Sequence, residues 1–243
     1  MREALKAERP INKIMMIREN YSGPLQEIFA MARERGIPVQ KVERNSLNKY
    51  VSDTVHQGVI ALVAPQAYVS VEAILEAVKP EDEPLLLLLD EISDPHNLGA
   101  ILRTADAAGV HGVIIPRRRS APLTPTVAKS SAGAIEYVPV ARVANIVQTI
   151  ETLKGNGIWL VGADENAQEL CWDAQLNGPL ALVIGGEDKG LGRLVKERCD
   201  ILVRLPMSGR VNSLNASVAA ALLVYEVVRQ RRKALSHEGV SNH

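Results

Sequence analysis

Five consecutive leucines, Leu85 to Leu89, constrain the fold of this chain more than any other segment. A second run of five apolar residues, Leu180 to Ile184, also lacks any charged or polar side chain. Strands with one exposed face alternate apolar and polar residues, whereas continuous apolar runs are typical of strands covered on both faces. Segments with helical periodicity separate such runs from residue 85 onwards. This alternation predicts an α/β domain built on a doubly wound, mostly parallel sheet.

The elements of this domain follow from the same patterns. Strands are predicted at residues 85–89, 112–115, 136–140, 158–163, 180–184 and 201–205. Helices are predicted at residues 97–108, 125–131, 143–154, 190–197 and 213–232.

The first 66 residues predict a separate, small α/β unit. Its strands are expected at 11–17, 39–42 and 58–63, with helices at 24–35 and 46–51. Two prolines and three acidic residues then fall within the six positions from Lys79 to Pro84, a composition typical of a domain boundary. The predicted organisation is an N-terminal domain (1–66), a linker with a short helix over 71–78 (67–84), a second domain (85–233) and a disordered tail (234–243).

Composition excludes several classes of protein. Of the 243 residues, 47% are hydrophobic and 23% charged, which is ordinary for a soluble globular protein. No apolar run approaches the roughly 18–20 residues of a membrane span, and the N-terminus lacks a secretory signal, so we expect a cytoplasmic protein. Cys171 and Cys199 lack CxxC spacing, and no other metal-ligand set is visible, so neither a disulfide nor a metal site is expected.

The zero net charge conceals a segregation of charge along the chain. Residues 67–94 carry one basic and eight acidic side chains, whereas residues 95–142 carry six basic and two acidic ones. Arg117, Arg118 and Arg119 follow a predicted strand. Such a run is usually a solvated loop, but beside a strand-end pocket it also suits RNA phosphates. Aromatic residues make up only 3%, which does not favour base-stacking platforms.

Three polar loops each follow a predicted strand and lead into a predicted helix. They are DPHNLGAILR (94–103), GGEDKGLG (185–192) and LPMSGRVNSLN (205–215). Because ligands collect at the carboxyl ends of parallel strands, we expect the loops to converge on one site. The third loop holds Ser208, Gly209, Asn212, Ser213 and Asn215. One of these would suffice to cap the helix, so their number indicates a ligand pocket.

The glycine loop does not match either common phosphate-binding pattern. Gly185, Gly186, Gly190 and Gly192 do not fit G-x-G-x-x-G, and no Gly-Lys-Ser/Thr follows. Glu187 would also repel a phosphate. These failures disfavour a nucleotide-dependent Rossmann enzyme. A positively charged ligand with an adenosine group fits better, and S-adenosylmethionine, a sulfonium, has both properties.

In order and spacing, the three loops resemble the signature motifs of the SpoU/TrmH-type RNA ribose 2′-O-methyltransferases of the SPOUT superfamily. The similarity covers residues 1–233. Within the family, DPHNLGA and Val55-His56-Gln57-Gly58 look most like the enzymes that methylate a guanosine ribose in 23S ribosomal RNA. Transfer-RNA enzymes share the motifs, and a non-catalytic RNA-binding protein of ribosome assembly could retain them, so both alternatives stay open.

The resemblance implies an architecture that the residue patterns do not. The family carries a deep C-terminal trefoil knot, which general rules of chain topology would not predict. It also implies an RNA-binding N-terminal domain and a homodimer packed through the knot region and the last helix. The cofactor would be S-adenosylmethionine, held by Gly185, Gly186, Leu205, Met207, Gly209 and Leu214.

The resemblance also implies roles for five catalytic residues. Arg103 would handle the proton of the ribose 2′-hydroxyl, although an arginine normally stays charged. It would therefore pass the proton to a substrate phosphate or orient the nucleophile; a phosphate clamp or a helix salt bridge is the alternative. Asn97 would position Arg103 or the ribose, or cap its helix. Glu187 would orient the arginine or the third loop, unless it is a plain surface carboxylate, and Ser213 and Asn215 would bond the cofactor or the catalytic groups.

Overall fold

The computed structural model describes residues 1–18, 23–50, 56–187, 189–210 and 213–238, without the side chains of 235–238. The chain divides into two compact units, Met1–Gln66 and Ala67–His243. Within the described residues, no helix is long and apolar enough to cross a membrane.

The described part of the first unit forms three strands in the order β2-β1-β3, with β2 parallel and β3 antiparallel to the central strand. In chain order its elements are α1 (Arg2–Lys6), β1 (Ile11–Ile17), α2 (Pro24–Glu34), β2 (Val39–Val42), α3 (Arg44–Asn48) and β3 (Val59–Val63). Leu5, Ile14, Met16 and Ile28 form its core. The predicted elements are confirmed, except that α3 begins and ends earlier than expected.

His56 is bonded on both ring nitrogens within this unit. Its Nε2 lies 2.8 Å from Oδ1 of Asn48, and the backbone N–H of Gly58 donates to its Nδ1 at 3.2 Å. The His-Gln-Gly turn thus ties α3 to the start of β3. Val55, the first residue of that motif, lies outside the described residues.

The second unit contains seven strands in its described part, all paired in parallel, in the order β6-β5-β4-β9-β7-β10-β8. The strands are β4 (Leu85–Asp90), β5 (Gly112–Pro116), β6 (Val140–Val143), β7 (Trp159–Ala163), β8 (Glu169–Leu170), β9 (Leu180–Gly185) and β10 (Ile201–Arg204). The helices are α4 (Val71–Glu76), α5 (Pro95–Ala108), α6 (Pro125–Ser130), a 3₁₀ turn (Ala134–Glu136), α7 (Ile146–Gly155), α8 (Arg193–Arg198) and α9 (Ala216–Glu238).

The leucine run forms the centre of this sheet, as predicted. Leu85, Leu87 and Leu89 face a core shared with α5 and α9, whereas Leu86 and Leu88 face a second core shared with α4 and α7. All five side chains are at most 1% exposed. Because both faces of the strand are covered, the apolar residues need not alternate with polar ones.

The predicted strand at 136–140 is wrong. Residues 134–136 form a 3₁₀ turn, and β6 begins only at Val140. The N–H groups of this segment bond locally, Glu136 to the carbonyl of Gly133 and Val138 to that of Ala134. Pro139 has no N–H to offer, so the strand starts after it.

Three predicted helix starts are also wrong. Helix α7 starts at Ile146 rather than at 143, because β6 continues to Val143. Helix α8 starts at Arg193 rather than at 190, because Gly190 adopts a left-handed conformation with φ of 61°. Helix α9 starts at Ala216 rather than at 213 and continues to Glu238, so residues 234–238 of the predicted disordered tail are helical. The rest of that tail, 239–243, lies outside the described residues.

Residues 67–84 pack onto the second unit instead of forming a free connector. Val69 bridges Ala141 in parallel, and Ile74 of α4 is 1% exposed. A Cβ placed on Gly112 would lie 2.5 Å from the Ile74 side chain, so a glycine is required under the helix.

Candidate active site

The structure brings together one polar residue from each of the three loops. Nδ2 of Asn97 donates to Oε1 of Glu187 at 2.9 Å, and Nδ2 of Asn215 donates to Oδ1 of Asn97 at 2.9 Å. Asn215 also donates to Oε1 of Glu187. We call Asn97, Glu187 and Asn215 the polar cluster. Its three bonds join segments that are 90 and 118 residues apart in the chain, so the predicted convergence of the loops is confirmed.

Asn97 serves this cluster and does not cap its helix. Asp94 is the N-cap of α5, and its carboxylate accepts from the backbone N–H of His96 at 2.8 Å. Asn97 lies in the first turn of the helix and is only 7% exposed. Since a buried amide is costly unless it is bonded, the partners on Glu187 and Asn215 account for an asparagine at this position.

Asn215 has two functions through the two ends of one side chain. Its Oδ1 accepts from the backbone N–H groups of Ser217 at 3.0 Å and Val218 at 3.3 Å, which caps α9. Its Nδ2 is then directed at the polar cluster. Capping and site formation are therefore compatible, and the first turn of α9 is fixed relative to α5.

A cleft of about 390 Å³ lies beside Glu187 at the carboxyl ends of β7, β9 and β10. Its volume falls within the range of small-ligand sites. It is lined by seven residues predicted for the site, namely Gly185, Gly186, Glu187, Leu205, Met207, Ser213 and Leu214. Gly209 is exposed, does not line the cleft, and has no atom within 4 Å of a Cβ placed on it, so its predicted role receives no geometric support. Asn212 lies outside the described residues.

The glycines of the second loop allow it to fold back on itself. A Cβ on Gly185 would lie 2.1 Å from the carbonyl carbon of Gly190, and the N–H of Gly190 donates to the carbonyl of Gly186 at 2.9 Å. The glycines thus form a compact wall of the cleft, and not the phosphate cradle of a Rossmann or P-loop protein. Backbone atoms rather than side chains face a ligand here.

Sequence reasoning missed a fourth loop that also lines the cleft. Asp164, Glu165 and Asn166 follow β7, and Lys196 of α8 lies opposite them. Asp164 forms an ion pair with Lys196, and its carboxylate accepts from the N–H of Asn166 at 2.8 Å. Burial opposes the charge on Asp164, but the bonds from Lys196 and Asn166 outweigh it and hold its pKa below the usual value. The signal was available, because a polar run follows the predicted strand at 158–163.

Arg103 lies apart from the polar cluster in a single chain. It is six residues beyond Asn97 on α5, a rise of about 9 Å and a rotation of about 120° around the helix axis. Its side chain is exposed, forms no hydrogen bond or ion pair with any described residue, and does not line the cleft. The helix salt bridge considered above is therefore not formed within this part of the chain.

The three arginines of the basic run have different surroundings. The carbonyl oxygen of Arg117 accepts a hydrogen bond from the guanidinium of Arg142 at 3.0 Å. Arg117 also lines a separate cavity near the start of α7. Arg118 is exposed. Arg119 forms an ion pair with Glu91 at 2.6 Å, and this hydrogen bond raises the pKa of the guanidinium. Arg119 lines a cavity of about 220 Å³ together with Asn97 and Glu187, so it alone of the three borders the polar cluster.

The lining of the cleft fits S-adenosylmethionine. Ile184, Leu205, Met207 and Leu214 provide apolar surface for an adenine ring and the methionine chain, and the glycine wall leaves backbone groups accessible to the polar edge of adenine. Glu187 places a carboxylate at the border of the cleft, which suits a sulfonium. Among the described residues, no group of three or more His, Cys, Asp or Glu side chains could hold a metal ion.

The second unit combines a parallel sheet, a cleft at the carboxyl ends of its strands and a hydrogen-bonded polar cluster beside that cleft. This arrangement is typical of α/β enzymes that bind a cofactor. Residues 84–225 match the SpoU rRNA Methylase family, and residues 1–69 match the RNA 2′-O ribose methyltransferase substrate-binding domain. The chain belongs to the SpoU rRNA methylase family.

Known proteins resemble the chain over nearly its whole length. It is 51% identical over 230 residues to the "Putative TrmH family tRNA/rRNA methyltransferase YacO" of Bacillus subtilis, covering 94% of this chain and 92% of that one. The SpoU methyltransferase AviRb of Streptomyces viridochromogenes, solved with AdoMet, superposes with a TM-score of 0.81 at 29% identity, covering 96% and 87%. An AdoMet-bound rRNA methyltransferase of Sinorhizobium meliloti superposes with a TM-score of 0.78 at 25% identity, covering 93% of this chain and 83% of that one.

These matches confirm the family, the sheet architecture with an N-terminal substrate-binding domain, and the cofactor predicted from the sequence. The protein is an RNA 2′-O-methyltransferase that uses S-adenosylmethionine.

Proposed function

We propose that this protein methylates the ribose 2′-hydroxyl of a guanosine in 23S ribosomal RNA. The observation that carries the catalytic part is the polar cluster of Asn97, Glu187 and Asn215, bonded together at the border of the cofactor cleft. A non-catalytic RNA-binding protein would have no need to keep three buried or bonded polar groups converging on such a cleft. The ribosomal target is supported by the resemblance of DPHNLGA and the His-Gln-Gly turn to the 23S enzymes.

A transfer-RNA target is the second candidate. The name of the Bacillus subtilis relative covers both tRNA and rRNA, so it does not separate the two. The N-terminal unit, which matches the substrate-binding domain, is the part of the chain that would select between them.

The cofactor would supply a methyl group on a sulfonium: an oxygen–carbon bond to the methyl group forms as the carbon–sulfur bond breaks, and S-adenosylhomocysteine is the leaving group. In this chain Gly185, Gly186, Leu205, Met207 and Leu214 would hold it, since all five line the cleft. Ser213 lies at the same lining and would bond the methionine part. Oε1 of Glu187 accepts hydrogen bonds from the side-chain amides of Asn97 and Asn215. These two bonds fix the orientation of the carboxylate.

The 2′-hydroxyl must lose its proton as it attacks, because a neutral hydroxyl is a weak nucleophile. Arg103 is our candidate for the residue that activates the hydroxyl. It would orient the hydroxyl and pass the hydroxyl proton to a substrate phosphate. An exposed arginine stays protonated, so this activation requires RNA to cover and desolvate the guanidinium. Arg119 would hold an RNA phosphate beside the polar cluster, with Arg117 and Arg118 contacting RNA further from it.

A homodimer would bring Arg103 to a cleft. Helix α5 packs against α9, and α9 exposes Val218, Leu222 and Tyr225, each 46–50% accessible. These residues are four and seven positions apart, so they form one apolar face. An apolar face of this kind is a candidate dimer interface. We propose that two copies associate through it and that Arg103 of one copy serves the cleft of the other.

Two further expectations belong to the proposal. The segment from β9 to α9 would be threaded as a deep trefoil knot, an arrangement supported by the resemblance of the three loops to the signature motifs of the family. A cytoplasmic location is supported by the nature of the substrate, since ribosomal RNA is cytoplasmic in bacteria.

Mapping of ribose methylation in a strain that lacks this gene tests the target. We expect one 2′-O-methylguanosine to disappear from 23S ribosomal RNA and to return when the gene is restored. Loss of a ribose methyl group from a transfer RNA, with ribosomal RNA unchanged, would replace the first candidate by the second.

A further inference from the structure

Asp90 is a buried carboxylate beside the active site that no catalytic step above uses. It is the last residue of β4 and only 7% exposed. Its Oδ2 accepts from the backbone N–H of Gly192 at 2.8 Å, a bond between residues 102 positions apart. Burial raises the pKa of this carboxyl, and the hydrogen bond from the N–H of Gly192 opposes that shift.

The glycine loop rests on the end of β4 at three points. Asp90 is the register partner of Gly185. A Cβ on Gly186 would lie 2.7 Å from the carbonyl oxygen of Glu91, and one on Gly192 would lie 3.2 Å from Oδ2 of Asp90. Glu91 has a left-handed φ of 63°, uncommon for a residue other than glycine. The end of β4 and residues 185–192 are therefore fitted to each other at backbone distance.

The same loop is held at its other side by the polar cluster, through Glu187. Gly190 lies between these two attachments, and Gly185 and Gly186 directly precede the first; all three glycines line the cofactor cleft. The Asp90–Gly192 bond holds the C-terminal end of the loop, whereas the polar cluster holds the loop at Glu187. If it were lost, the C-terminal end of the loop would lose its hydrogen bond to the end of β4.

We propose that Asp90 is a positioning residue for the cofactor, which holds the glycine loop in the conformation that forms the cleft wall. A bond from an N–H to a carboxylate is stronger than one to a neutral acceptor, so a charged residue suits this task. The inference rests on the cofactor and not on the RNA target. Its failure is therefore separable from failure of the proposed function.

Cofactor affinity of three variants, measured by calorimetry with S-adenosylmethionine on the full chain, tests the role. Asp90→Ala should weaken binding by about 10-fold, the size expected for a lost hydrogen bond. Asp90→Asn keeps an acceptor oxygen and should bind within about 3-fold of the wild type. Wild-type affinity in Asp90→Ala would overturn the proposal.

Asp200→Ala is the control for a purely structural effect. Asp200 also accepts a backbone N–H at 2.8 Å, from Leu160, but at the opposite end of β7 and away from the cleft lining. It should lower the melting temperature without changing cofactor affinity. Equal losses of affinity in Asp90→Ala and Asp200→Ala would show that Asp90 acts only on general stability, which contradicts the proposal.

Hydrogen exchange on the wild type keeps the test independent of whether Asp90→Ala folds. The Gly192 amide should be protected in the free protein and further protected when S-adenosylmethionine binds. Exchange of this amide at the rate of an unstructured loop in the cofactor-bound protein would overturn the proposal.

Discussion

Asn215 donates its side-chain amide to the side-chain oxygen of Asn97 at 2.9 Å, across 118 residues of sequence. The bond joins the first turn of α9 to the first turn of α5, and both residues share Glu187 as a second partner. Each of the two asparagines is thereby fixed by the other and by one carboxylate. The polar cluster is consequently a unit, in which the loss of one member leaves the other two incompletely bonded.

Asn97→Ala should reduce both activity and stability. The substitution leaves Glu187 with one amide donor and removes the acceptor of Asn215, and a disrupted buried bond costs about 1–3 kcal/mol of unfolding free energy. Urea unfolding and methyl-transfer assays measure the two effects. Asn156→Ala is the control, because Asn156 donates to the Thr152 carbonyl at 2.8 Å on an exposed surface. Equal effects of the two substitutions would contradict a special role for Asn97.

Arg119→Ala should weaken RNA binding. Arg119 is the arginine of the basic run that borders the polar cluster, and loss of one phosphate contact lowers the slope of log affinity against log salt by about 1. Binding titrations over a range of salt concentrations measure both quantities. Arg198→Ala is the matched control, since Arg198 is also exposed and paired with a glutamate, Glu151, at 2.8 Å. An unchanged slope in Arg119→Ala would remove this residue from the RNA site.

Mixed dimers should recover activity from two inactive variants. If Arg103 serves the partner's cleft, a heterodimer of Arg103→Ala and Asn215→Ala contains one intact site. An equal mixture that re-equilibrates should then reach about a quarter of wild-type activity, because half of its dimers are mixed and each has one site of two. Leu222→Glu, which places a charge on the exposed face of α9, should prevent both dimerisation and recovery. A mixture as inactive as its components would place Arg103 and the polar cluster in the same copy.

Acid should lower the stability that Asp164 contributes beside the cleft. Because its folded-state pKa lies below the ordinary 3.8, Asp164 contributes stability above that value and loses it as the pH falls through the lowered pKa. The difference in unfolding free energy between the wild type and Asp164→Asn should therefore be constant near neutral pH and shrink in the acid range. Urea unfolding from about pH 3 to pH 7 measures it. A difference that grows on acidification would have the wrong sign for this ion pair with Lys196.

The sequence could predict those features that depend on local patterns. Leu85–Leu89 could be assigned to a central strand because covering both faces of a strand requires a continuous apolar run. The convergence of the three loops followed from parallel strands, whose carboxyl ends meet at one edge. Asn97, Glu187 and Asn215 could therefore be placed in one site from the sequence.

The remaining features depend on contacts that no local pattern carries. The segment 136–140 is apolar enough for a strand, yet local turns satisfy its N–H groups up to Pro139. Asp94 rather than Asn97 caps α5, a choice decided by the tertiary partners of Asn97. Helix geometry accounts for the distance between Arg103 and the polar cluster. The proposed access of Arg103 to a cleft, however, depends on a second copy of the chain. The buried bond from Gly192 to Asp90 joins residues that nothing in the sequence relates.

Transfer of a labelled methyl group from S-adenosylmethionine to RNA by the wild type and by Arg103→Ala is the most direct test of the proposed chemistry. We expect the wild type to label a ribose 2′-oxygen and Arg103→Ala to be slower by about 100-fold or more, the size of a lost proton-transfer contribution. Calorimetry should show unchanged cofactor affinity in the variant, since Arg103 does not line the cleft. Wild-type turnover by Arg103→Ala would contradict the role assigned to the guanidinium.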